Sequence, residues 1–132
     1  MKLFLCLLAW AICYAACNGA PTAPTATAWP LTLPPKIQFD ISALNSEGLA
    51  GPPDGLRAVN YEFCIPAALL AEVEVKALDP SVQFFKGAAG HVGCTDAQEL
   101  VIGSTHQKNF KQVLLKLAAL DYVKRIIESV GE

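Results

Sequence analysis

The sequence predicts a two-layer α+β domain, and three observations carry that expectation. A central stretch alternates apolar and polar residues with the period of a half-buried strand, two amphipathic helical segments follow it, and short alternating runs flank the second helix. The central stretch is Ala58 to Pro66, where Val59, Tyr61, Phe63 and Ile65 recur at every second position. Its apolar side needs a covering layer, and the helices supply one.

After this strand, Pro66 suits the first position of a helix, Ala67 to Leu78 holds strong helix formers, and Pro80 forbids continuation. Leu69, Leu70, Val73 and Ala77 form the expected buried stripe, with Glu72 and Lys76 an i,i+4 pair on the wet side. Ser81 to Lys86 alternates again as a second strand. Gly87-Ala88-Ala89-Gly90 turns the chain back, and a third strand runs from Gln98 to Ile102. A second helix opens at Gly103-Ser104-Thr105-His106-Gln107, with Ser104 as N-cap and Gln107 completing a capping box. Phe110, Val113, Leu114, Leu117 and Leu120 form its apolar face.

Tyr122 to Val130 fits either a strand or a continued helix. Its cluster of β-branched residues favours the strand, and a helix running on would leave the sheet without its fourth member. The order strand, helix, strand, strand, helix, strand is the ferredoxin-like βαββαβ arrangement. It implies a four-stranded antiparallel sheet in the spatial order fourth, first, third, second, with two helices on one face. The other face stays partly open and carries Asn60, Glu62 and Cys64.

Upstream of residues 58–132, three further regions are expected. Met1-Lys2 and the apolar run Leu3 to Ala16 read as an export signal, 1–17, too short for the ~20 residues that span a bilayer. Its end, Tyr14-Ala15-Ala16-Cys17, resembles the bacterial lipobox, in which the Cys becomes lipidated. Ordinary cleavage near Gly19 or Ala20 would instead leave a soluble secreted form. Residues 18–35, rich in Pro, Thr and Ala, read as an extended tether, which favours the anchored form. Residues 36–57 read as a structured loop, with Lys36 to Asp40 a short edge strand and Pro53-Asp54-Gly55 a turn placing Gly55 at positive φ.

Composition narrows the function classes. The chain is 53% hydrophobic with a net charge of −2, and beyond Lys2 no basic run exceeds Lys124-Arg125. That rules against a nucleic-acid binder. Cys6 and Cys13 leave with the signal, so Cys64 and Cys94 meet an oxidising compartment. The topology brings the end of the first strand and the start of the third to one sheet edge, within disulfide range of each other. A soft-metal or redox site on Cys64, Cys94 and His91 is the sharper alternative. A triad of Cys64, His106 and Asp96 is disfavoured, because His106 belongs to the opposite edge. The Gly103, Ser104, Thr105, His106, Gln107 turn, with Lys108 beside it, offers hydroxyls and backbone N–H groups to a small anion. Plain N-capping is its simpler role.

Tyr61-Glu62-Phe63-Cys64-Ile65-Pro66-Ala67, Gly51-Pro52-Pro53-Asp54-Gly55 and Ile102-Gly103-Ser104-Thr105-His106-Gln107, with the Leu117-Ala118-Ala119-Leu120-Asp121-Tyr122-Val123 tail, resemble motifs of a group of small exported bacterial proteins of unknown function. That resemblance implies export and a shared fold. More loosely, Leu117-Ala118-Ala119-Leu120-Asp121-Tyr122-Val123-Lys124-Arg125-Ile126 is similar to the last helix-strand unit of protease propeptide inhibitors, which are also ferredoxin-like. The expectation is therefore a non-catalytic exported or lipid-anchored module, without cofactor, that binds a protein or small ligand. Membrane contact would come only through Cys17. A metal or redox protein is the alternative, and a small hydrolase would need a pocket joining His106 to a nucleophile.

Overall fold

The alternation around Tyr61 forms the middle of the sheet. In the computed structural model, which describes residues 32–131, a small hairpin of β1 (Leu49–Ala50) and β2 (Arg57–Ala58) leads into β3 (Asn60–Pro66). Then follow α1 (Leu69–Leu78), β4 (Gln83–Lys86), β5 (Gln98–Ser104), α2 (Phe110–Ala119) and β6 (Ile127–Glu128). The main sheet has the order β4-β5-β3-β6 and every pair in it is antiparallel. This is the expected α+β arrangement with the expected strand order. The signal segment, Cys17 and the tether as far as Leu31 lie outside the described residues.

Register decides what each face carries. Tyr61 stands opposite Gly103, Phe63 opposite Val101 and Ile65 opposite Glu99, so these six share one face. With Ala71 and Val75 of α1 and Phe110, Val113, Leu114 and Leu117 of α2, the apolar members of that face form the core. Ile37, Ile41 and Leu44 belong to the same core, so the segment before β3 closes it from the side. Its edge strand is reduced to one parallel bridge, Ile37 to Ile126.

Gly48 locks this segment in place. Its φ is +77°, and a Cβ there would lie 1.6 Å from the Thr105 carbonyl oxygen. Thr105 is fully buried; its hydroxyl donates to the Gly48 carbonyl at 2.6 Å and accepts from the Val59 N–H at 2.9 Å. In the β1–β2 turn the positive φ falls at Gly51, not at Gly55, where the Pro53-Asp54-Gly55 reading put it.

Both helices start later than their sequences suggest. Pro66 ends β3 and α1 begins at Leu69 after Ala68. Ser104 ends β5, and α2 begins at Phe110 with Asn109 before it and no side-chain cap, so the capping box does not form. The expected stripe on α1 is also overturned. Leu69, Leu70 and Val73 are 71%, 84% and 59% exposed, while Ala71 and Val75 face inward. The reason lies at the helix's end: Asp79, fully buried, accepts hydrogen bonds from the Tyr61 hydroxyl, the Ser81 N–H and hydroxyl, and the Gln107 amide. Ala71, Val75 and Asp79 are spaced by four, so pinning Asp79 turns that line inward. Glu72 and Lys76 are not a wet-side pair either; Glu72 meets Lys86 at 3.0 Å, and the Lys76 ammonium donates to the Pro80 and Val82 carbonyls. At the C-terminus the chain does leave the helix after Ala119, but the strand is only Ile127–Glu128, a fraction of Tyr122 to Val130.

Two truncations on α1 report this phase. Leu70→Ala is expected to shift stability by no more than about 0.5 kcal/mol, as exposed substitutions do. Val75→Ala is expected to cost about 2 kcal/mol through lost burial and a cavity. Urea midpoints at unchanged m-value would check both, and the reverse ranking would put the helix the other way round.

Candidate functional site

The second face of the sheet carries Glu62, Cys64, Leu100 and Ile102. Leu100 is buried there because the 87–97 loop folds back across it. The loop can do so because Gly87, Gly90 and Gly93 all adopt positive φ, and a Cβ on Gly90 would strike the Leu100 side chain at 2.6 Å. Two ties hold the loop down. Cys64 and Cys94 form a disulfide, and the buried Glu62 carboxylate accepts the Val92 N–H at 2.6 Å. The open sheet face expected from the sequence is therefore partly roofed by the chain itself.

Beside this roof the β3–β6 ladder ends. Its last pair is Glu62 with Ile127, and Asn60 accepts the Ser129 N–H, so alternate residues of β3 turn their peptides towards β6. The next such residue is Cys64, and the chain opposite it has already peeled away. The gap is a half-open cleft of about 240 Å³ lined by Cys64, Val92, Gly93, Gln98, Tyr122, Lys124 and Arg125.

Each polar side chain in the cleft is oriented by a neighbour. The Arg125 guanidinium donates to the Val92 carbonyl, tying the peeled segment to the loop. The Lys124 ammonium donates to the Asp121 carbonyl at 2.8 Å, and the Tyr122 hydroxyl donates to Glu74 of α1 at 2.6 Å. Burial, then the bond to Glu74, hold the Tyr122 phenol above its usual range, so it stays protonated. Gln98 turns its amide oxygen to the Thr95 N–H and hydroxyl, at 3.0 and 3.2 Å.

The sequence-predicted sites fare unevenly. The disulfide is present. Because both described thiols are spent in it, the metal or redox set of Cys64, Cys94 and His91 has no thiolate to offer. His91 stands exposed with Nδ1 3.7 Å from Glu62. Among the described residues no group of three or more His, Cys, Asp or Glu side chains is placed to hold a metal. His106 follows Ser104, which pairs with Asn60, four residues or about 13 Å along β3 from Cys64. The Gly103 to Gln107 turn is consumed internally: a Cβ on Gly103 would meet the Tyr61 ring at 2.5 Å, Thr105 bonds Gly48 and Val59, and Gln107 bonds Asp79. Only His106 is exposed there. The sequence does not mark Tyr122, Lys124, Arg125 and Gln98 as a group. Their one sequence signal is that Lys124-Arg125 is the chain's sole adjacent basic pair.

A second buried carboxyl group, Glu99, lies on the core face of β5. Glu99 is fully buried and, among the described residues, no donor bonds either carboxyl oxygen. Burial, and then the neighbouring Glu72 carboxylate, raise its pKa against the pull of Lys86. No protein family, curated protein or solved structure matches the chain.

Two measurements follow from this geometry. Cys64 and Cys94 are 30 residues apart, so breaking the bridge, by reduction or by Cys64→Ala with Cys94→Ala, is expected to cost about 3–4 kcal/mol by loop-closure entropy. A lowered urea midpoint would show it; no shift would mean that the loop is held without the bridge. For Glu99, a raised folded-state pKa means that the folded protein binds more protons than the unfolded chain. Stability therefore falls as pH rises from the ordinary value of 4.5 through the raised one. Glu99→Gln is expected to flatten that fall and to leave the protein more stable than the parent at neutral pH, read from urea midpoints across the range.

Proposed function

We propose that this chain is a non-catalytic exported module, secreted or held to a membrane through lipid on Cys17, that binds its ligand in the cleft between Cys64 and residues 122–125. The cleft carries this reading: it is a concave site with a few convergent polar groups on a covalently clamped frame, the usual form of a small-molecule site. A disulfide belongs to an oxidising compartment, which supports export, as does the likeness of the Tyr61 to Ala67 and Ile102 to Gln107 motifs to those of small exported bacterial proteins. No helix among the described residues is long and apolar enough to cross a membrane.

The non-catalytic reading rests on where the reactive groups sit. Cys64 and Cys94 are joined, His91 and His106 are exposed and neither lines the cleft, Glu62 is tied to the Val92 N–H, and Asp79 is held by four donors. The metal or redox alternative would need the bridge to open first.

Two readouts test the proposal. Intact mass of the exported protein should show loss of the signal by Cys17 or a few residues beyond, and a deficit of two hydrogens for the bridge; a retained N-terminus would remove export. An NMR screen of the oxidised protein with charged and neutral fragments should move signals of Gly93, Lys124 and Arg125. A screen in which no fragment class moves them would remove the cleft.

A further inference from the structure

The lining of the cleft is chemically one-sided. In a protein of net charge −2, it is faced, among the described residues, by two cations, Lys124 and Arg125, and by no acid. Among the described residues Arg125 bonds the Val92 carbonyl alone, and a guanidinium carries five N–H donors. Gln98 has turned its oxygen away to Thr95, which leaves its NH₂ as the free end. The outward peptide of Cys64, past the end of the β3–β6 ladder, adds one more N–H. The polar side of the site is thus built of donors and positive charge, which an anionic acceptor complements. The rest of the lining is apolar or soft: Val92, Cys64 and Tyr122, whose hydroxyl is already engaged by Glu74.

Resting on the reading of this cleft as a binding site, we propose that its ligand is a small organic acid. The carboxylate sits on Arg125 and Lys124, and a short hydrocarbon body lies against Val92, Cys64 and Tyr122. A planar carboxylate matches the guanidinium fork, and the volume of about 240 Å³ suits a compact molecule. Inorganic oxyanions satisfy the donors but leave the apolar wall uncovered, so the organic acid is favoured over phosphate.

Titration of the oxidised full chain with hexanoate, hexanamide and inorganic phosphate, followed by NMR, tests the assignment. Hexanoate is expected to shift Gly93, Lys124 and Arg125, with hexanamide and phosphate each at least about tenfold weaker. Lys124→Gln is expected to weaken hexanoate about tenfold, the worth of one charge-assisted bond, while Lys108→Gln leaves it unchanged. Hexanamide binding as tightly as hexanoate would overturn the anionic ligand, and phosphate binding as tightly would overturn the organic one. If only neutral or cationic fragments enter the cleft, this inference fails and the binding site stands; if nothing enters, both fail.

Discussion

The hydrogen bond from the Tyr61 hydroxyl to Asp79 is the constraint around which the domain is assembled. Both residues are fully buried, in a core where a lone carboxylate would be costly, and Asp79 is kept there by four donors from three segments. Ser81, one of those donors, also accepts the Ser104 N–H at 2.9 Å, and Gln107 donates to the Ser104 carbonyl as well. The middle strand, the end of α1, the end of β5 and the approach to α2 therefore share one knot. Burial, and then the Asp79 charge, push the Tyr61 phenol well above its usual range, so it remains a donor. Gly103 has no side chain because the Tyr61 ring occupies the space that one would need.

The same knot separates what the sequence could reveal from what it could not. Strand positions and order were legible, because Tyr61, Phe63 and Ile65 alternate with the sheet's own period and the helices lie between them in a forced order. The phase of α1 was not. A pattern count ranks Leu69, Leu70 and Val73 above Ala71 and Val75, but a polar residue beyond the helix decides which side turns in, and Asp79 looks like a surface cap until Tyr61 is seen above it. Gly103 to Gln107 misled for a related reason. Its polar side chains suit a helix start or an anion site, and their partners, Gly48, Val59 and Asp79, are 28 to 57 residues away in the chain.

The candidate site was legible only in halves. The pairing of Cys64 with Cys94 follows from topology, since antiparallel neighbours bring the end of one strand to the start of the next. The cleft follows from something subtler, the early end of β6. Had the ladder continued past Ile127, the residues opposite Cys64 would have sealed the gap with main-chain bonds, and Lys124 and Arg125 would be edge decoration. Arg125 instead reaches the carbonyl of Val92, so the departing segment and the roofing loop brace each other across the opening.

The strand at the centre of the sheet has its two neighbours far downstream: β5 begins 32 residues after β3 ends, and β6 comes after α2. Loop closure must come before such pairings reward it, so a chain emerging from its N-terminal end holds Tyr61, Phe63 and Ile65 unpaired until β5 is free. The same delay leaves an apolar strand open to other copies in the interval, and the interval lasts until β5 arrives to pair with it.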